Sequence, residues 1–251
     1  MGAMASLSAA RLVALWEPAS GAPAHQRLEP LVAALYPEEA IEDDTLGARN
    51  RRLLALNVAL GGPPLEARLR CGRCATDNSF AVPADEILAC PVPDPAARVD
   101  LRAGGRRLSF RLPRMGDLKA AASRPEGALA HIVAQCRVGG AKGPVPAAVV
   151  ARLAARFEAL DPAGRIVVDL ACAECRAALR ASVDLAEFVA VAIDRNVDLL
   201  LRDVHLLASA YNWSEDAILA LPPPRRRRYL AMIAASDPAV RPAPAPRMLQ
   251  A

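Results

Sequence analysis

"CGRCATDNSFAVPADEIL" (71–88) and "CAECRAALRASVDLAEFV" (172–189) decide the reading of this chain, because they align without a gap. Each opens on Cys-x-x-Cys, Cys71 with Cys74 and Cys172 with Cys175. Each then places Val at the twelfth position (Val82, Val183) and Glu at the sixteenth (Glu86, Glu187). A bulky apolar residue follows, Ile87 in one and Phe188 in the other. The runs leading in, "PLEARLR" (64–70) and "GRIVVDLA" (164–171), have the alternation of strands. The shared pattern predicts strand, Cys-x-x-Cys turn, strand and helix start, used twice.

A tetrahedral zinc ion takes four thiolate or imidazole ligands, and a Cys-x-x-Cys knuckle supplies two from one tight turn. Cys71, Cys74, Cys172 and Cys175 together close the shell. Zinc ribbons usually separate their knuckles by ~15–20 residues. Here the gap makes residues 90–160 an insertion between the two halves. With cysteine at all four corners there is no open position for water, so the expected zinc is structural, not catalytic. Neither knuckle has glycine after its second cysteine, where such turns favour φ > 0; Ala75 and Arg176 stand there. Two other readings stay open: a dithiol redox couple, and ordinary core cysteines. The redox reading lacks a cause for a lowered thiol pKa, since "ATDNSFAV" (75–82) reads as a strand and not as a helix N-terminus. Cys90 and Cys136 have no partner in sequence and read as buried or incidental.

Composition bounds the rest. The 251 residues are 53% hydrophobic but only 4% aromatic, so the core must be built from Ala, Leu and Val, a mixture that favours helices. The net charge of +4 rests almost wholly on arginine, with Lys119 and Lys142 the two lysines. That bias reads as genome composition and argues weakly for nucleic acid. No apolar run is long enough to span a membrane, and "SLSAARLVALW" (6–16) is too short and too charged for a signal peptide. The expectation is a cytoplasmic protein with reduced cysteines.

Helical stretches are expected at 6–16, 25–36 and 42–62, the last acidic at its start and ending on Gly61-Gly62. "RVDLRAGGRRLSFRL" (98–112) reads as a hairpin turning at Gly104-Gly105. Helices follow at about 115–122, 126–137 and 146–159, and "RVGGAKG" (137–143) between two of them reads as a loop. From Asp184 an apolar stripe runs through Val189, Ile193, Val197, Leu200, Val204, Leu207 and Tyr211, about seven turns, with Asp194, Asp198 and Arg202 on the opposite, polar side. His25, His131 and His205 lie in no nucleophile motif, and His205, beside the stripe, reads as structural. Ser214 caps a short helix, Pro222 to Pro224 break it, and Arg225, Arg226, Arg227 and Arg228 open the final helix. The expected fold class is α+β, mostly helical, with a split zinc-ribbon-like β unit and an inserted β-hairpin. Its parts are an N-terminal helical segment (6–62), the split ribbon core (63–183), a C-terminal helical unit (184–236) and a disordered Pro-rich tail (237–251).

Four arginines in one turn point all round the helix axis, so some must lie against protein. Asp203, Glu215 and Asp216 are the internal candidates, an acidic partner protein the next, and nucleic acid the last, since Tyr229 is the sole neighbouring aromatic on that helix.

"RDVHLLASAYNWSEDAILALPPPRRRRYLAMI" (202–233) resembles the C-terminal signature of phage baseplate hub assembly chaperones and their relatives in contractile injection systems. The matching residues are Val204-His205, Tyr211, Trp213-Ser214, Leu221-Pro222 and Arg227 to Leu230. "TLGARNRRLLAL" (45–56) and "LSFRLPRMGDL" (108–118) are similar to further segments of cysteine-bearing members, which often read Cys-Pro-x-Cys-Gly at the knuckles where this chain does not. The resemblance implies a non-enzymatic assembly factor whose partner is a baseplate or hub protein of a contractile tail, without a small-molecule substrate. Partner-binding candidates are Arg225 to Arg228 and Tyr229. The alternative classes are a zinc-ribbon nucleic-acid-binding module and, last, a dithiol oxidoreductase.

Overall fold

Two short hairpins carry the cysteines at their tips, and the helices hold those hairpins side by side. The structure, a computed structural model of the chain, describes residues 7–37, 39–62, 64–123, 126–140 and 143–236. β1 (Glu66–Arg70) pairs antiparallel with β2 (Asp77–Ala81), and α4 (Ala84–Ala89) follows directly. β6 (Ile166–Ala171) pairs antiparallel with β7 (Ala178–Val183), and α8 (Leu185–Tyr211) follows in the same way. The repeat read from the sequence is therefore a structural repeat. Its matched valines, Val82 and Val183, are both buried.

One core joins both halves to the chain's N-terminal helices. α1 (Ala9–Trp16), α2 (Ala24–Leu35) and α3 (Leu46–Ala59) are started by Ser8, Pro23 and Thr45. They bury Leu12, Leu28, Leu31, Leu35, Leu53 and Leu56 against the Val189, Ile193 and Val197 face of α8. Ala67, Val82, Ile166 and Val183 of the hairpin units enter the same cluster. The N-terminal segment, the ribbon and α8 are thus not separately cored units. α3 stops where expected: Gly61 takes φ +64, and the Gly62 N–H reaches back to the Asn57 carbonyl at 2.8 Å.

The insertion has its own small core. β3 (Arg98–Ala103) and β4 (Arg106–Arg111) turn at Gly104 and Gly105, whose φ values of +55 and +74 are those of a type I′ hairpin. α5 (Met115–Ala122), α6 (Ala128–Cys136) and α7 (Ala147–Leu160) follow, and Phe110, Val133, Cys136 and Leu153 close the cluster. The expected loop at 137–143 is in part a strand: β5 (Arg137–Gly140) adds to β4 beyond a bulge at Ser109/Phe110. Its two glycines weaken the strand signal, and the pairing comes from the waiting edge of β4. Lys142, the other end of that stretch, lies outside the described residues.

α8 departs from a simple amphipathic helix at Asp194. Expected on the polar side, it accepts from Trp16 Nε1 at 2.8 Å and from Arg27 Nη1 at 2.7 Å, tying α1 and α2 to α8. His205 is exposed, not packed beside the stripe. α9 (Glu215–Leu219) is capped by Ser214 as expected. Pro222 to Pro224 do more than break it: Pro223 opens α10 (Pro223–Ser236), where a missing N–H is harmless. The arginines therefore follow the opening turn's prolines. The Pro-rich tail (237–251) lies outside the described residues. Among the described residues no helix is long and apolar enough to cross a membrane.

Candidate metal centre

Each knuckle is shaped by its own backbone before any metal is considered. In the first, the Cys71 N–H bonds the Thr76 carbonyl at 2.9 Å and the Ala75 N–H bonds the Cys71 carbonyl at 2.9 Å. In the second, the Cys172 N–H bonds the Ala177 carbonyl at 2.9 Å and the Arg176 N–H bonds the Cys172 carbonyl at 3.0 Å. The two turns are the same turn. Both need a left-handed residue after the second cysteine, and Ala75 (φ +59) and Arg176 (φ +57) adopt it without being glycine. For an L-residue that conformation costs about 1–2 kcal/mol.

The helical frame brings the turns together. Asp161, just before β6, accepts the Gly47 N–H of α3 at 2.8 Å, and Asn50 donates to the Ala163 carbonyl at 2.7 Å. A Cβ on Gly47 would lie 1.9 Å from Asp161 Oδ1, so α3 can approach this closely only with glycine there. At the tips, buried Asn78 does the joining. Its Nδ2 donates to the Leu69 and Thr76 carbonyls, and its Oδ1 accepts the Ala173 N–H of the other knuckle at 2.8 Å. Asn78 went unnoticed in the sequence, where an Asn after a Cys-x-x-Cys turn looks like turn chemistry alone.

The result places Cys71, Cys74, Cys172 and Cys175 with all four Sγ atoms within 4.8 Å of one another. The closest approaches cross between knuckles, Cys71 to Cys175 at 3.6 Å and Cys74 to Cys172 at 3.5 Å. A tetrahedron of sulfurs about 2.3 Å from a central ion has edges of about 3.8 Å. The four sulfurs therefore suit a metal ion, and they are too far apart for the ~2.05 Å of a disulfide. Cys71 and Cys172 are buried, while Cys74 and Cys175 are half-buried.

The thiols are not electrostatically alike. The N–H groups of Cys175 and Glu174 aim at Cys172 and pull it down to about 6. Cys175 accepts from the Ala177 N–H, yet burial and the neighbouring thiols push it up to about 12. Cys74 is lowered by the Thr76 hydroxyl and N–H. A cluster this close resists holding several negative charges at once unless a cation sits among them. Neither knuckle opens a helix: β2 follows one and β7 the other.

The remaining candidates lie elsewhere. Cys136 is fully buried in the insertion core, where burial pushes it up to about 12. Cys90 is half-buried and donates to the Glu86 carbonyl. Of the four arginines offered to a partner, Arg226 is corrected. It is only 6% exposed and pairs with Asp203 at 3.0 Å, because its position on α10 faces α8. Asp203, not Glu215 or Asp216, is the acid it meets. Arg225, Arg227 and Arg228 are exposed. Tyr229 is half-buried in a three-ring cluster, 5.7 Å from the Tyr211 ring and 4.9 Å from Trp213. It holds α10 to the end of α8 before it can serve a partner.

Fold and centre together define a class: a mostly helical α+β protein whose two hairpin halves meet at a split four-cysteine centre. Comparisons with protein-family models, curated proteins and solved structures return no match.

Proposed function

We propose that the chain is a non-enzymatic assembly factor for the baseplate or hub of a contractile tail or injection system, clamped by a structural zinc ion on Cys71, Cys74, Cys172 and Cys175. The observation that carries the zinc is the donor set: four sulfurs at tetrahedral spacing, with every corner occupied by protein. Zinc suits this soft, redox-inert role, and a closed shell leaves no position for a substrate. The ion would join two hairpins that are far apart in sequence, fixing the insertion between them and α8 behind them.

The assembly role rests on the resemblance of residues 202–233. Support comes from what those residues do here. Tyr211, Trp213 and Tyr229 pack as one ring cluster, and Asp203 pairs with Arg226, so the signature is the internal frame of the α8–α10 unit. That frame leaves Arg225, Arg227 and Arg228 facing outward, and α8 exposes Leu199 at 61%. Exposed apolar side chains with charges nearby suit a protein partner better than a nucleic acid, which calls for stacking rings turned to solvent.

The test is co-expression with the baseplate and hub proteins of the same gene neighbourhood. Specific co-purification with one of them, resistant to nuclease, is expected. Absence of any tail-type gene nearby and of any such complex overturns the assembly reading but leaves the metal centre standing.

A further inference from the structure

The sulfurs of the four-cysteine centre pair unevenly. Cys71 Sγ lies 3.6 Å from Cys175 Sγ and Cys74 Sγ lies 3.5 Å from Cys172 Sγ, so both of the shortest approaches cross between the knuckles. Together the two pairs use every thiol of the centre once. Each joins a half-buried thiol, Cys175 or Cys74, to a buried one, Cys71 or Cys172. A disulfide spans ~2.05 Å, so each pair has only about 1.5 Å to close, a shift that side-chain rotation supplies. The hairpins need not move. Asn78 Oδ1 already holds the Ala173 N–H at 2.8 Å, and each turn is closed by its own backbone bonds. Thiolates with access to solvent are the sulfurs that hydroperoxides oxidise, and Cys74 and Cys175 present such access at the hairpin tips.

We propose that the four cysteines are a modification site for hydroperoxide, which replaces the metal clamp by two cross-knuckle disulfides, Cys71–Cys175 and Cys74–Cys172. In each pair the half-buried thiolate attacks the peroxide, forming an S–O bond, breaking the O–O bond and releasing hydroxide. The buried thiolate then attacks that sulfur, forming the S–S bond, breaking the S–O bond and releasing a second hydroxide. The two sulfurs together give up two electrons, the peroxide takes both, and buffer protonates the hydroxides to water. Run at both pairs, the step consumes two peroxides and leaves no thiolate to hold a cation. Because the new bonds cross, the hairpins stay tied once the cation is lost. Bonds made within each knuckle would let them part. The loss of zinc rests on the metal reading proposed above, whereas the pairing rests on the sulfur geometry alone.

The test treats the full-length protein as purified, carrying Cys90→Ser, with excess hydrogen peroxide and maps the bonds by mass spectrometry without reduction. Trypsin cuts after Arg70, Arg73, Arg98, Arg165 and Arg176, which puts Cys71 on peptide 71–73, Cys74 on 74–98, and Cys172 with Cys175 on 166–176. These three peptides should appear joined as one species, with fragment ions assigning Cys71 to Cys175 and Cys74 to Cys172. An indicator chelator should show zinc leaving in step with the bonds. A 166–176 peptide bridged internally, the opposite cross pairing, sulfinic acids in place of disulfides, or thiols that persist under excess peroxide each overturn the proposal. Protein that held no zinc at the outset overturns the zinc reading, while the peptide masses still decide the pairing. Oxidised protein should melt about 5 °C or more above reduced, metal-free protein, since the bonds close long loops between the knuckles. Equal melting would show that the bonds do not clamp the hairpins, and would overturn the proposal too.

Discussion

Replacing Ala75 and Arg176 by glycine should stabilise the protein, although glycine usually does the opposite. Both residues sit at φ near +60°, Ala75 at +59 and Arg176 at +57, and both side chains are exposed, so their removal forfeits no packing. Relief of the left-handed strain returns about 1–2 kcal/mol per site, against about 0.5–1 kcal/mol for the greater freedom of glycine in the unfolded chain. The net gain is about 0.5–1 kcal/mol each. For a chain of this size 1 kcal/mol moves Tm by about 2–4 °C, so the double variant should melt about 2–8 °C higher. Circular-dichroism melts at fixed free metal measure this, with Ala155→Gly on the exposed side of α7 as the control that should lose stability. Competition with a chelator should also show tighter metal retention in the double variant, because the turn no longer resists the bound geometry. If both glycine variants melt at or below the parent temperature, the knuckle strain inferred from these dihedrals is not there.

Asn78→Leu should cost about 1–3 kcal/mol in a denaturant titration, because it leaves the Ala173 N–H of the second knuckle without its acceptor and removes the Nδ2 bonds to the Leu69 and Thr76 carbonyls. Asp117→Asn should cost about 2–3 kcal/mol by the same measure, since it strands Arg111 beside the insertion core. Burial alone would raise the Asp117 carboxyl, but Arg111 and the Arg114 N–H outweigh it and hold it below the usual range. Its stabilisation is therefore full above the unfolded value of about 3.9 and fades as pH falls through the lower folded value. Acid titrations of parent and Asp117→Asn should converge there, and parallel curves would contradict the pairing. Arg225→Glu with Arg228→Glu should leave nucleic-acid retention unchanged and slow co-purification with a tail protein, whereas Arg226→Glu should lower Tm by stranding Asp203. Micromolar nucleic-acid binding lost in the double variant would reverse that order of partners.

The fold was legible wherever one local rule acted alone. The Gly104-Gly105 turn, the Ser214 cap and the α8 stripe all depend on neighbours in sequence. The gap-free match of 71–88 with 172–189 further showed that two turns of one kind would recur, and so pointed to the cysteine centre. What escaped depends on partners distant in the chain. β5 exists because β4 offers an edge, not because "RVGG" favours a strand. Asp194 looked like a solvent-facing charge until α1 and α2 folded over it with Trp16 and Arg27. Arg226 could not be told from Arg225, Arg227 or Arg228 until α10 turned one of them toward Asp203.

The central claim is that a metal ion ties the two hairpins together, and metal content with sulfur coordination tests it most directly. Protein purified under reducing conditions without added metal should hold about one zinc per chain by elemental analysis. X-ray absorption should show four sulfur neighbours at about 2.3 Å. Cys71→Ser should lose the metal and several kcal/mol of stability, while Cys90→Ser changes neither, because binding energy at such a site is folding energy. Metal-free protein that melts no lower than the loaded form, or an absorption spectrum with oxygen in the shell, would contradict the account.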